Sequence, residues 1–171
     1  MAVTGMDVVL STFTTKTISS STSLAGKANT ISIGLKIDNA ALAQGDTITI
    51  KFGGADKFTT GTTNALTVGG DEAAKFGSAG NWNKDTGILI LTVANSQSVA
   101  ADTAFAVSVT LGNVATAQNA LAPTVEGSIT AASNGAIALS NMAVTGMDVV
   151  LSTFTTKTIS SSSSVPSASN T

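Results

Sequence analysis

Ile31, Ile33, Leu35 and Ile37 alternate with Ser32, Gly34 and Lys36. An apolar residue at every second position predicts a strand with one buried and one solvated face. The same period returns in Ile48, Ile50 and Phe52 against Thr47, Thr49 and Lys51, and in Phe105, Val107, Val109 and Leu111 against Ala106, Ser108 and Thr110. Ile88, Leu89, Ile90 and Leu91 are apolar on both faces, which places that strand in the interior of a sheet. Shorter or weaker strand signals lie at residues 65–68, 124–130, 136–139 and 142–151, and Met6, Val8 and Leu10 share one face near the start.

Turn chemistry separates these runs: Asp38-Asn39, Gln44-Gly45-Asp46, Gly53-Gly54, Gly112-Asn113 and Ser133-Asn134-Gly135. The stretch from Asn83 to Gly87 predicts a hairpin between a short strand bearing Trp82 and the apolar strand that follows. Residues 71–76 (DEAAKF) suit one helical turn with acids at its start, as the helix dipole prefers. Residues 115–122, stopped by Pro123, read as a loop. No helical stretch is long enough to cross between parallel strands. The expectation is an all-β fold: an antiparallel β-sandwich, immunoglobulin-like in general layout, with roughly seven to nine strands. A β-solenoid would show a short internal period, and none is found.

One stretch occurs twice. Residues 1–21, MAVTGMDVVLSTFTTKTISSS, return letter for letter as residues 142–162, an offset of 141 positions. Beyond the identical block the likeness fades: Ser23, Asn29 and Thr30 match Ser164, Asn170 and Thr171, whereas Ala25, Gly26 and Lys27 face Pro166, Ser167 and Ala168. Gradual divergence suits a tandem repeat of domain size better than a cloning duplication. Met1 matches the internal Met142, so it need not be an initiator. The expected organisation is a start-of-repeat segment over residues 1–28 (an edge strand and a Ser/Thr-rich linker), a β-sandwich domain over 29–151, and a Ser/Thr-rich linker over 152–171 into the next repeat. In this reading residues 142–151 close the sheet of the domain, and residues 1–10 belong to the preceding one. The first copy then lies at an edge or hangs free, or donates a strand to a neighbouring molecule. Met6, Val8 and Leu10, with their counterparts Met147, Val149 and Leu151, are the candidate interface residues.

Composition narrows the function. Ser and Thr make up about 28% of the chain, and aromatics only 4%, so the core is built from Ile, Val, Leu and Ala. There is no Cys, His or Tyr, and all eight cations are Lys. Net charge −2 without Arg speaks against nucleic-acid binding, which needs a basic footprint. No apolar run reaches the length of a membrane span. No Asn-x-Ser/Thr sequon is present.

Candidate chemistry is sparse. Serines abound, but His and Tyr are absent as bases and no context marks a Ser–Lys pair, so an enzyme is not expected. Asp71-Glu72 and Glu126 are the carboxylates to weigh for glycosidase work; a helix start and a solvated strand position explain them more simply. Asp38, Asp46, Asp56, Asp71, Asp85 and Asp102 sit near loops and could offer oxygen to calcium, yet no EF-hand spacing occurs and turn formation accounts for them. No cofactor is expected. The Thr rows of TFTTKT and Thr47–Thr49 are too few for an ice-binding lattice face. Trp82 could stack on a sugar ring, although large aromatics in sandwiches more often anchor the core.

The segments KANTISIGLKIDNAALAQGDTITIKF (residues 27–52) and GILILTVANSQSVAADTAFAVSVTLGN (residues 87–113) resemble repeat units of large extracellular β-sandwich proteins of microbes and algae, built as adhesins, stalks or surface filaments. The resemblance spans most of residues 29–130. It implies a structural or adhesive role, an extracellular or cell-surface location, and neighbouring copies of the same repeat or subunit as partners. The alternative expectation is a module that binds carbohydrate or another surface ligand through Trp82 and nearby polar loops.

Overall fold

The computed structural model describes residues 11–129 and 136–152. Among these the chain forms ten strands: β1 (Phe13–Ser20), β2 (Ala28–Ile37), β3 (Thr47–Lys51), β4 (Thr63–Gly69), β5 (Ala79–Asn83), β6 (Ile88–Thr92), β7 (Ala104–Gly112), β8 (Thr124–Ser128), β9 (Ala136–Asn141) and β10 (Ala143–Thr145). The helical turn expected at 71–76 is a short 3-10 segment, Ala73–Phe76, ended by Gly77 in the left-handed conformation. The fold is all-β, as the alternation requires.

Two details differ from the expected layout. The strands are hydrogen-bonded in one continuous order, β10-β1-β2-β7-β4-β5-β6-β3-β8-β9, instead of in two separate sheets. The sheet is also mixed: β1 and β10 run parallel, with Thr17 opposite Ala143 and Ser19 opposite Thr145. Every other pairing between named strands is antiparallel. A parallel pair needs a long connection; here the whole intervening domain serves as that connection.

Period-two burial builds the core. Ile31, Ile33, Leu35 and Ile37 of β2 are sealed from solvent and face a shared interior with Ile48, Ile50, Leu89, Leu91, Val107 and Val109. Each such side chain contributes about 2 kcal/mol of hydrophobic stabilisation. One cluster draws on strands from both ends of the order, so the sheet curls around a single core. Two strands make the curl. β4 pairs with β5 through Leu66 and Thr67 and then with β7 through Val68 and Gly69, passing from one half of the sheet to the other. β9 and β10 lie at opposite ends of the order yet are separated only by Met142, which is buried and donates its N–H to the Pro123 carbonyl at 3.0 Å. The chain thus steps from one edge of the sheet to the other, and the closure blunts edges that would invite aggregation. β6 takes the interior position between β5 and β3 that its two apolar faces demand.

Candidate joint between repeats

The two described parts of the duplicated stretch meet side by side. β1, from the first copy, lies between β2 and the first strand of the second copy, β10, and is not free. The parallel alignment continues past β10: Gly146 turns the chain at a φ of 67°, and Leu24 then pairs with Val150. Val150 donates its N–H to the Ser23 carbonyl at 2.7 Å, and Ala25 donates to the Val150 carbonyl at 2.9 Å. On its other side the same segment pairs antiparallel with residue 118, where Gln118 and Val149 exchange backbone hydrogen bonds of 3.0 and 3.1 Å.

The candidate interface residues divide accordingly. Met147 and Val149 are buried, at 3% and 2% exposure, in the domain that precedes the joint; Leu151 is 55% exposed. Met6, Val8 and Leu10 lie outside the described residues.

The beginning of β1 is held by Asp38, one residue beyond β2. Thr12 donates its N–H to Asp38 Oδ1 at 2.6 Å and its hydroxyl to Oδ2 at 3.0 Å, and Asp38 returns its own N–H to the Thr12 carbonyl at 3.1 Å. The Thr12 backbone N–H favours the carboxylate form and holds the Asp38 pKa below its ordinary value. Asp38 was legible only as a turn residue; its partner Thr12 lies 26 positions earlier, which no local pattern reveals.

The end of β1 is held by two residues that sequence reasoning did not single out. Asn29 and Asn113 are buried at 3% and 1% exposure, and Asn29 Nδ2 donates to Asn113 Oδ1 at 2.9 Å. Asn29 Oδ1 accepts from the Ser20 hydroxyl at 3.0 Å and from the Ser21 and Thr22 N–H groups at 3.1 and 3.3 Å. Asn113 Nδ2 donates to the carbonyls of Thr22 and Leu24 at 3.1 and 2.9 Å. The Ser-rich stretch that reads as a linker is therefore wrapped around a buried amide pair, which fixes Leu24 where it meets Val150. The available signal was Asn170, which keeps Asn29 in the second copy while the five residues before it diverge.

The other candidates are dispersed. Trp82, weighed as a sugar platform against a place in the core, lies in the core with no exposed surface. Its Nε1 donates to the Thr60 carbonyl at 2.9 Å, and it meets Phe52 and Phe58 edge-on at ring-centre distances of 5.7 and 5.9 Å. Glu72 pairs with Lys75 at 2.8 Å, and Glu126 with Lys51 on the neighbouring strand at 2.8 Å. Asp56 and Asp102 face Lys84 and Lys36. Asp46 is buried and accepts the Ala43 N–H at 2.8 Å, closing the turn that precedes β3. Among the described residues no three acids converge where a metal could be held, and no helix is long and apolar enough to cross a membrane. No protein-family model and no curated protein matches the chain.

Proposed function

We propose that the chain is a structural repeat module of an extracellular filament, fibre or adhesin, in which the duplicated segment spans the joint between consecutive copies. The parallel pairing of β1 with β10 carries this reading. β1 runs from the Thr12–Asp38 end of the domain toward the Leu24–Val150 end, and the closing segment joins it opposite Thr17 and runs beside it in the same direction to Val150. The chain thus enters the domain at one end and leaves at the other, as a domain strung in a line requires.

Dimensions follow from the strand rise. Residues 12–24 at no more than about 3.3 Å each, with the chain turning after Ser20, place the two ends at most roughly 40 Å apart. The repeating unit is residues 12–152, one period of the duplication. Val150 is the last paired residue of one unit, and Thr153, the counterpart of Thr12, opens the next. Two residues remain between them, far fewer than a flexible linker needs.

Among the described residues no aromatic platform for the carbohydrate-binding alternative is exposed, since Trp82, Phe13, Phe52, Phe58, Phe76 and Phe105 are all buried. The extended-module reading is tested by electron microscopy of chains carrying one, two and four copies joined in register. Rods that lengthen by a constant step of at most about 40 Å per copy are expected. Globular particles, or copies that fold back side by side, reject it. Ordered polymers formed by the single chain would move the joint from within one molecule to between molecules.

A further inference from the structure

Among the described residues, the large apolar side chains left exposed are Leu24, Val150 and Leu151, at 40%, 41% and 55%. All three sit at the same end of the domain, the one from which the chain leaves. Leu24 and Val150 are paired across neighbouring strands, and Leu151 follows directly. Elsewhere among the described residues the large apolar side chains are buried or only half-exposed, so a group of exposed ones confined to one end asks for a cover.

Resting on the repeat-module reading, we propose that this patch docks against the leading end of the next copy and makes the joint rigid. Residues 153–162 repeat residues 12–21, the stretch that opens β1, so in this reading the next domain begins at Thr153, three residues after Val150. Three extended steps reach at most about 11 Å, which keeps the leading end of that domain close to Leu151. The leading end suits the contact. Around Thr12 it presents residues 38–42 and 99–102, clamped together by hydrogen bonds between Leu42 and Val99 of 2.8 and 2.9 Å and by Asp102 N–H on the Ile37 carbonyl at 2.7 Å. Ala41 and Ala100 are exposed there, small residues on which leucine and valine side chains can rest. The occupant of the patch is thus a second copy of this domain, held head to tail.

The test extends the chain past Thr171 with residues 31–151, giving two complete copies with nothing removed. The chain has no Cys, so Ser98→Cys, at an exposed loop position in each copy, carries spin labels for a distance distribution. The expected result is one narrow distance, broadened at least twofold by Leu151→Glu in the first copy, with the melting temperature of the one-copy chain unmoved by that substitution. Leu24→Glu, tested separately, should broaden it too. A distribution that is already broad, or that neither variant changes, overturns the docking while both copies still melt cooperatively. Failure of the second copy to fold overturns the repeat-module reading as well. Tail-to-tail dimers of the one-copy chain that Leu151→Glu dissolves would assign the patch to a different contact and also overturn the proposal.

Discussion

Thr12 to Ser20 and Met142 to Val150 come from two copies of one sequence, and they lie next to each other doing different work. The first opens the domain: its strand is pinned at Asp38, pairs along its length with β2, and buries only Phe13 and Ile18. The second closes it: its regular strand is three residues long, yet Met142, Met147 and Val149 all enter the core. Within the described residues the second half of the first copy opens the domain and the first half of the second copy closes it; on the proposed repeat reading, the duplicated unit is a seam.

The largest blow to this comparison would come from removing residues 142–171. Three buried side chains at about 1.5–3 kcal/mol each amount to much of the 5–15 kcal/mol that holds a typical domain together. Loss of cooperative melting is the expected outcome in calorimetry; a truncated chain that melts like the full one dissolves the distinction between opening and closing halves. Asn29→Ala comes next. It removes the donor to Asn113 Oδ1 and the acceptor of the Ser20 hydroxyl and of the Ser21 and Thr22 N–H groups, and a loss of about 2–4 kcal/mol in denaturant unfolding is expected. A loss below about 0.5 kcal/mol would show that the opening half does not depend on the amide pair.

Within the closing half, Met147→Ala should cost about 2–3 kcal/mol as a cavity forms, whereas Leu151→Ser in the one-copy chain should fall within about 0.5 kcal/mol of zero. Equal costs would place the boundary of the domain beyond Leu151. The smallest effect is expected at Asp38, and it depends on pH. Its folded pKa is depressed, so its contribution is complete above the ordinary aspartate value of 3.8 and is lost as pH falls through the lower folded value. Asp38→Asn should therefore melt earlier than the parent near neutral pH, with the gap narrowing as the pH is taken below the ordinary aspartate value. A gap independent of pH would mean that Thr12 is held by shape and not by charge.

Much of the fold was legible in the chain. Alternation over 31–37, 47–52 and 105–111 needs only a water-facing and an oil-facing side, and each became a strand with the expected face inward. The doubly apolar stretch at 88–91 became an interior strand, and the loop chemistry of 83–87 became the β5–β6 turn. The site was less legible. Met147 and Val149 were named through the repeat as interface residues and lie in the core, while the work of Asn29, Asn113 and Asp38 was not visible. A buried amide looks in sequence like any turn residue, and its value arises only from partners up to 91 positions away. Trp82 illustrates the reverse: an aromatic beside a turn is ambiguous until neighbours from three segments enclose it.

By itself, the sequence determined the elements and the period, because strand faces and turns depend on residues a few positions apart and identity at a fixed offset needs no structure at all. Tertiary structure alone decided where the seam runs. Whether β1 and β10 are parallel neighbours depends on how the sheet closes at Met142, a balance of core burial and edge pairing summed over the whole domain. That closure sets Thr12 and Val150 toward opposite ends of the domain, the geometry on which the proposed linear arrangement rests.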